Sequence, residues 1–234
     1  MHNLTKLDNP VWHSLNEAHR QFALGDEELK LYPPNISPFV GVNSKDRQIL
    51  RKLDGYIQSD EPFFIIGDLP DLPPENYVIH PVLICAQMVQ TEPLEITPTE
   101  EIIYLNDEYS EPLAELVNLV QPGYFRQDTR LMGDYFGIFK EGKLVAVTGE
   151  RMRMDTFTEV SAVVTHPDFT GRGYAKQLIA HTVNKNLAIG ITPYLHVAAS
   201  NTPAIALYEK LGFRHRPKIS VWKMNRVNEL LGTS

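Results

Sequence analysis

The chain is short of several things, and each shortage narrows what it does. Its 234 residues include one cysteine, Cys85, set in the apolar stretch Val82-Leu83-Ile84-Cys85-Ala86. A single thiol closes no internal disulfide, and in these surroundings it reads as a small buried hydrophobe. No apolar run approaches the length that crosses a bilayer, because prolines and charges interrupt every candidate. The opening residues Met1-His2-Asn3-Leu4-Thr5-Lys6-Leu7-Asp8 lack the apolar centre of a secretory leader, so a cytoplasmic protein is expected. Basic clusters are missing too: the net charge is −7 and both signs are mixed along the chain, which excludes a nucleic-acid footprint. A negative surface mildly favours a cationic acceptor. Gly-x-Ser-x-Gly does not occur and Cys85 has no nearby partner, which argues against hydrolase chemistry. His166, His181 and His215 show no ligand spacing with each other or with Cys85, so no metal site is expected.

Apolar content of 43% and charged content of 22% are ordinary for a globular protein, and the length suits one large domain or two small ones. Residues 11–24 predict a short amphipathic helix with Trp12, Leu15, His19 and Phe22 on one face. Lys45 to Tyr56 predicts a second, with Ile49, Leu53 and Tyr56 at helical spacing. Two apolar runs, Pro62 to Gly67 and Tyr77 to Val89, read as strands joined by the stiff loop Asp68 to Pro74. Pro93 and Pro98 interrupt the pattern, placing a boundary near Thr91 to Thr99. The expected division is therefore an N-terminal α+β unit over 1–97 and a second domain over 98–234.

From Glu100 the order is regular. Ile102 to Leu105 reads as a strand, and Glu108 to Val120 as a helix with Leu113, Leu116, Val117 and Val120 inward. Tyr135 to Phe139 and Leu144 to Thr148 form a hairpin about Glu141-Gly142-Lys143. Strand Thr158–Thr165, helix Gly173–Asn186 and strand Tyr194–Ala199 follow, the helix carrying Ala175, Leu178, Ile179, Val183 and Leu187 on one stripe. Pro203 to Leu211 is a helix and Ser220 to Met224 a closing strand. The fold class is α/β, a mixed central sheet flanked by helices. Its parallel neighbours are Thr158–Thr165 and Tyr194–Ala199, with the helix between them as the crossover.

Two runs carry the chemistry. Asp168-Phe169-Thr170-Gly171-Arg172-Gly173-Tyr174-Ala175 delivers a strand end to a glycine-rich loop and a helix N-terminus. That arrangement turns backbone N–H groups and the positive end of a helix dipole on one point, a way of holding pyrophosphate. Gly171, Gly173, Tyr174 and Ala175 supply N–H groups, while Arg172 and Lys176 add charge. Lys176 stands where a dinucleotide fingerprint has its third glycine, and the loop lacks the Gly-Lys-Ser/Thr of a P-loop. Val163, Val164 and Thr165, just upstream, offer an edge to the two amides of a pantetheine arm if this strand splays from Tyr194–Ala199. The second run, Asn201-Thr202-Pro203-Ala204-Ile205-Ala206-Leu207-Tyr208-Glu209-Lys210-Leu211-Gly212-Phe213, sets a tyrosine on a short helix.

In these two runs the chain resembles the GNAT superfamily of N-acetyltransferases, in its glycine-N-acyltransferase-like branch, over roughly residues 100–226. One position departs: the family pattern has Gln or Arg where this chain has Thr170, which weakens one phosphate contact and leaves the backbone cradle. The resemblance implies acetyl-CoA or another short acyl-CoA as co-substrate and no metal. It implies a primary amine as acceptor, whether a small molecule, a peptide N-terminus or a lysine. The N-terminal unit becomes a candidate degenerate half-copy of the same fold. Carried over by position, the N–H near Val163 faces the thioester carbonyl, Tyr208 protonates the departing thiolate, and Asn201 bonds the pantetheine arm or holds the loop. Glu159, placed on the face of Val163 by period-two alternation, takes the proton of the amine. Rival readings remain: Glu159 as a bystander on a half-buried strand, Tyr208 as a core aromatic, Asn201 as a turn residue before an N-cap at Thr202, and His196 as either a second base or a structural histidine. At the level of the whole protein, the alternatives are an acyl-CoA sensor without turnover and a non-catalytic interaction protein.

Overall fold

A computed structural model describes residues 3–56, 61–69, 77–123 and 125–226; residues 70–74 of the proline-rich loop lie outside this set. In chain order the elements are α1 (Pro10–Asn16), β1 (Leu24–Gly25), β2 (Leu29–Leu31), β3 (Phe39–Val42), β4 (Phe63–Ile66), β5 (Tyr77–Val89), β6 (Ile103–Tyr104), α2 (Ser110–Val120), β7 (Tyr135–Lys140) and β8 (Lys143–Arg151). They continue with β9 (Phe157–Thr165), α3 (Tyr174–Ala188), β10 (Thr192–Ala198), α4 (Thr202–Lys210), β11 (Arg214–His215) and β12 (Ile219–Arg226). The class is the expected mixed α/β. Among the described residues no helix is long and apolar enough to cross a membrane.

The chain clusters into two units, one of Met1–Pro34, Pro38–Cys85 and Ile219–Ser234, the other of Asn35–Ser37 and Ala86–Lys218. The division therefore falls inside β5 and not near residue 97, and the closing strand belongs with the N-terminal unit. Backbone pairing is the reason. β12 runs antiparallel to β4 from Val221↔Ile66 to Met224↔Phe63, and to β5 from Ile219↔Cys85 to Arg226↔Tyr77. A strand bonded on both edges goes with its neighbours, whatever its place in sequence.

In the first unit the strand order is β1-β2-β3-β4-β12-β5, with β3 and β4 parallel. Leu29, Leu31, Val40, Ile49, Leu50 and Leu53 belong to its core. Each such side chain contributes about 1.5–3 kcal/mol when fully buried. The helix expected over 11–24 stops at Asn16, because Glu17 takes φ −115° and ψ −114°, and a short 3₁₀-helix, Arg20–Phe22, follows. His19 still turns inward, 3.0 Å from Ser14 Oγ and 2.8 Å from the Tyr32 hydroxyl. The second expected helix is a 3₁₀-helix, Arg47–Gly55, started by Asp46, whose carboxylate accepts from Gln48 N at 2.9 Å. Ile49 and Leu53 are buried as the spacing required, but Tyr56 is exposed.

In the second unit the order is β5-β10-β9-β8-β7-β6. β7 and β8 form the expected hairpin, and Glu141 and Gly142 at its tip have φ 51° and 77°. Two successive positive φ values suit the right-handed twist of the flanking strands. β9 and β10 are parallel and α3 connects them. On β8, Ala146 packs with Tyr174 and Leu178 of α3, whereas its neighbour Val147 packs with Leu113, Leu116 and Val117 of α2. Alternation on a strand puts these helices on opposite faces. Val120, expected inward, is exposed at the end of α2.

Gly41 on β3 tests how closely α1 is seated. A Cβ there would lie 2.5 Å from Trp12 N, whereas one at Gly55 meets nothing within 4 Å. Gly41→Ala should lower unfolding free energy by about 1–3 kcal/mol, and Gly55→Ala should leave it nearly unchanged. Urea midpoints at constant m-value measure both.

Candidate active site

The parallel ladder between β9 and β10 is short. Thr192↔Phe157, Pro193↔Thr158 and Tyr194↔Glu159 pair, and beyond them the strands part although both continue. On its other edge β9 stays paired with β8 as far as Ala146↔Thr165. His166 N–H donates to Val145 O at 2.8 Å. Alternation then points the N–H groups of Val163 and Thr165 toward the open side, and that of Val164 toward β8. The splay on which the pantetheine reading depended is present, with two of the three residues facing it.

One inference from spacing fails here. The register between β8 and β9 slips between Val147 and Gly149, and Ala162 takes φ 48°. This is a β-bulge, which reverses the parity of the strand beyond it. Val160 and Val163, three residues apart, consequently pack in one cluster with Ile179 and Val183 of α3. Glu159 lies on the other face and does not share that of Val163.

At the open end of the fork, Gly171 and Gly173 have φ 76° and 78°. A Cβ on either would meet nothing within 4 Å, so the backbone conformation and not crowding calls for glycine. Gly173 is the N-cap of α3 and no side chain caps it; the first helical bond runs from Gln177 N to Gly173 O at 3.3 Å. The N–H groups of residues 171–176 donate to no described residue. Thr170 Oγ1 donates to Pro167 O at 3.1 Å, leaving its oxygen as an acceptor. Arg172 lies over the Phe169 ring at 4.7 Å and donates to Asp168 O at 3.3 Å. Tyr174 buries its ring, so its backbone N–H is what it offers, beside that of Ala175. Lys176 lines a groove of about 450 Å³ with Leu94, Ile96, Lys210 and Arg214. Glu92 and Glu95 line the same groove, so the backbone N–H groups and the helix N-terminus are the features that suit an anion.

α4 borders the fork. Asn201, and not Thr202, is its N-cap, and Oδ1 of Asn201 accepts from Ala204 N at 3.2 Å. The residue thus holds the loop, and its Nδ2 donates to no described residue. Tyr208 is buried among Val160, Ile179, Val197 and Leu211, edge-on to Phe213 at 5.6 Å. Its hydroxyl has no hydrogen-bond partner among the described residues. Burial raises its pKa to about 12, so it stays protonated at neutral pH. The ring is a core aromatic, and its hydroxyl keeps its proton.

Glu159 does not face solvent, and its carboxylate is already engaged. It is 1% exposed, and Arg151 grips it twice, Nε to Oε2 at 2.7 Å and Nη2 to Oε1 at 2.9 Å. Oε1 also lies 2.8 Å from Nδ1 of His196. Burial alone would raise the carboxyl's pKa; the Arg151 charge and the hydrogen bonds from His196 and Arg151 outweigh it and hold it at about 2. On its far side His196 Nε2 lies 2.8 Å from Nε2 of Gln87, whose Oε1 accepts from Arg216. Positions 87, 151, 159, 196 and 216 thus form one polar chain within the second unit. Sequence reasoning missed Gln87, Arg151 and Arg216, because no local spacing joins residues on β5, on β8 and after β11. Among the described residues no group of three His, Cys, Asp or Glu is placed to hold a metal ion.

With this geometry in view, comparison with known proteins is informative. The FR47-like protein family profile matches residues 135–223. A putative acetyltransferase of the GNAT family from Novosphingobium aromaticivorans is 30% identical, with 95% of this chain and 99% of that one aligned at a TM-score of 0.86. The chain belongs to the GNAT family. A GCN5-related N-acetyltransferase from Kribbella flavida shares the fold at 13% identity, 98% coverage of both chains and a TM-score of 0.64. The [ribosomal protein bS18]-alanine N-acetyltransferase of Escherichia coli is 35% identical over 79 residues, 33% of this chain and 53% of the relative. The chain spans about half the length of the curated relatives it matches.

Glu159→Gln would take from the partly buried Arg151 the carboxylate that it grips, at a cost of about 3 kcal/mol at neutral pH. The folded carboxyl titrates near 2 and the ordinary value is 4.5. The wild type's advantage is therefore full above the ordinary value and is lost as pH falls toward the folded one. Unfolding midpoints of the two proteins should differ at neutral pH and converge toward pH 2.

Proposed function

We propose that this protein is an acyl-CoA-dependent N-acyltransferase that moves an acetyl or short acyl group to a primary amine by direct attack in a ternary complex. The observation that carries the reading is the run of unclaimed N–H groups at residues 171–176, set at the mouth of a fork between parallel strands. The cradle takes the pyrophosphate of acyl-CoA, with Arg172, Lys176 and Thr170 at its rim. The pantetheine amides pair with the β9 edge at Val163 and Thr165, and Asn201 offers its Nδ2 from the opposite side. The Val163 N–H is aimed where charge develops on the thioester oxygen. Tyr208 donates the proton that the leaving sulfur needs.

An amine with a pKa of about 10 is mostly protonated at neutral pH and must lose a proton before it attacks. The polar chain at the fork is the group of side chains able to receive it. Relatives named for N-acetylation of alanine on a ribosomal protein favour a peptide N-terminus over a lysine as the first acceptor to try. The chemistry in this reading lies wholly in the second unit, and we place the enzyme in the cytoplasm. The N-terminal unit, read as a degenerate half of the same fold, gives no group to it among the described residues.

Calorimetric titration with acetyl-CoA, CoA, NAD and ATP is the first test. Acetyl-CoA and CoA alone should saturate the protein, and failure of both would end the acyltransferase reading. Tyr208→Phe should lower kcat about 10²-fold or more with acetyl-CoA affinity unchanged. Gly171→Ala, forced into a positive φ, should instead weaken acetyl-CoA binding.

A further inference from the structure

Glu159, the acid nearest the fork, is committed twice over, to Arg151 and to His196. The next group along, His196, sits on β10 two residues past Tyr194, the last residue of that strand paired with β9. Its protonation can be worked out from its neighbours. Arg216 donates only, so Oε1 of Gln87 is the acceptor in that contact and the orientation of the amide is settled. Gln87 Nε2 can then only donate, and its contact at 2.8 Å makes Nε2 of His196 an acceptor. The ring proton must be on Nδ1, donated to Glu159 Oε1 at 2.8 Å. The lone pair on Nε2 is the basic site of the cluster, and its direct partner is a neutral amide.

We propose that His196 takes the proton of the acceptor amine through Nε2, with Glu159 as a positioning residue that fixes the ring and balances its charge. This deepens the acyltransferase reading and rests on it. An incoming ammonium displaces the Gln87 amide from Nε2. One N–H bond of the ammonium breaks and an Nε2–H bond forms, giving an imidazolium against the Glu159 carboxylate. The freed nitrogen lone pair bonds to the acyl carbon while the C–S bond breaks, and the sulfur takes the Tyr208 proton. The second proton of the amine restores the Tyr208 hydroxyl, and the imidazolium returns its proton to solvent. Arg151 matters here because, without it, the carboxylate would share its charge with water and hold the ring less firmly. The logic is that of a histidine oriented by a buried acid.

The charged and titratable groups facing the ring are Glu159 from β9, Tyr194 from β10 with ring centroids 5.5 Å away, and Arg151 and Arg216 one residue further out behind Glu159 and Gln87. Gln87 is the neutral group between Arg216 and the ring. Removing it should leave Nε2 open, so Gln87→Ala should change KM for the amine more than kcat.

Two measurements on the full chain decide the matter. Nitrogen-15 NMR of the histidine rings, assigned with His196→Gln, should show His196 as the Nδ1–H tautomer; an Nε2–H tautomer would overturn the proposal whether or not an acceptor has been found. Turnover of acetyl-CoA with a peptide beginning in alanine, read as thiol release against pH, should show an acidic limb that His196→Gln abolishes with a loss of about 10²–10⁴-fold. That variant keeps the Arg151–Glu159 pair, so it should fold and bind acetyl-CoA by calorimetry as the wild type does. Full turnover with an unchanged pH profile in His196→Gln would remove His196 from the mechanism. Loss of acetyl-CoA binding by the wild type counts against the cofactor site, and the tautomer still judges His196 on its own.

Discussion

The site depends on a failure of two strands to stay together. Parallel neighbours normally bond along their whole shared length, because an unpaired backbone group shut away from water is costly. β9 and β10 stop after Tyr194↔Glu159, and from there one edge of β9 faces the gap. What keeps the gap from closing is packing on either side: β9 stays bonded to β8 through Thr165, while α4 bridges the apolar cluster over the parted strands. N–H groups on such an edge are of the kind that a ligand with amides of its own can satisfy as a third strand would.

The point of divergence is also where the charge is concentrated. Arg151 and Glu159 are opposite one another in the β8–β9 register, and Glu159 is opposite Tyr194 in the last β9–β10 pair. A buried ion pair is a poor source of stability, because its Coulombic gain mostly repays desolvation. Its value lies in direction. Arg151 and Arg216 can only donate, so the groups that orient the His196 ring are themselves oriented from other strands. Tyr208 shows the complementary case, a ring packed among apolar side chains whose burial raises the pKa of its hydroxyl.

Much of this was readable in advance, and the limits have physical causes. The hairpin at Glu141-Gly142, the β9–α3–β10 crossover and the glycine loop all follow from local rules, and all are present. The helices of the first unit were overextended, since apolar spacing at 3.6 residues does not exclude a 3₁₀ turn or a break such as that at Glu17. The domain boundary was misplaced because β12 pairs with strands far from it in sequence. The face of Glu159 was misjudged because a bulge leaves no sign in a run of valines and alanines.

The sequence by itself determined the strand-loop-helix around Gly171 and Gly173, because positive φ at these glycines and a helix N-terminus are local matters settled within a few residues. It also determined where Tyr208 stands on α4. Only the tertiary structure decided what surrounds Glu159. Glu159 has the same carboxylate wherever it lies, but burial against Arg151 and contact with His196 turn it from a proton acceptor into a fixed anion. Those partners come from different strands, and electrostatics in a dry interior depends on distances that no spacing along the chain encodes.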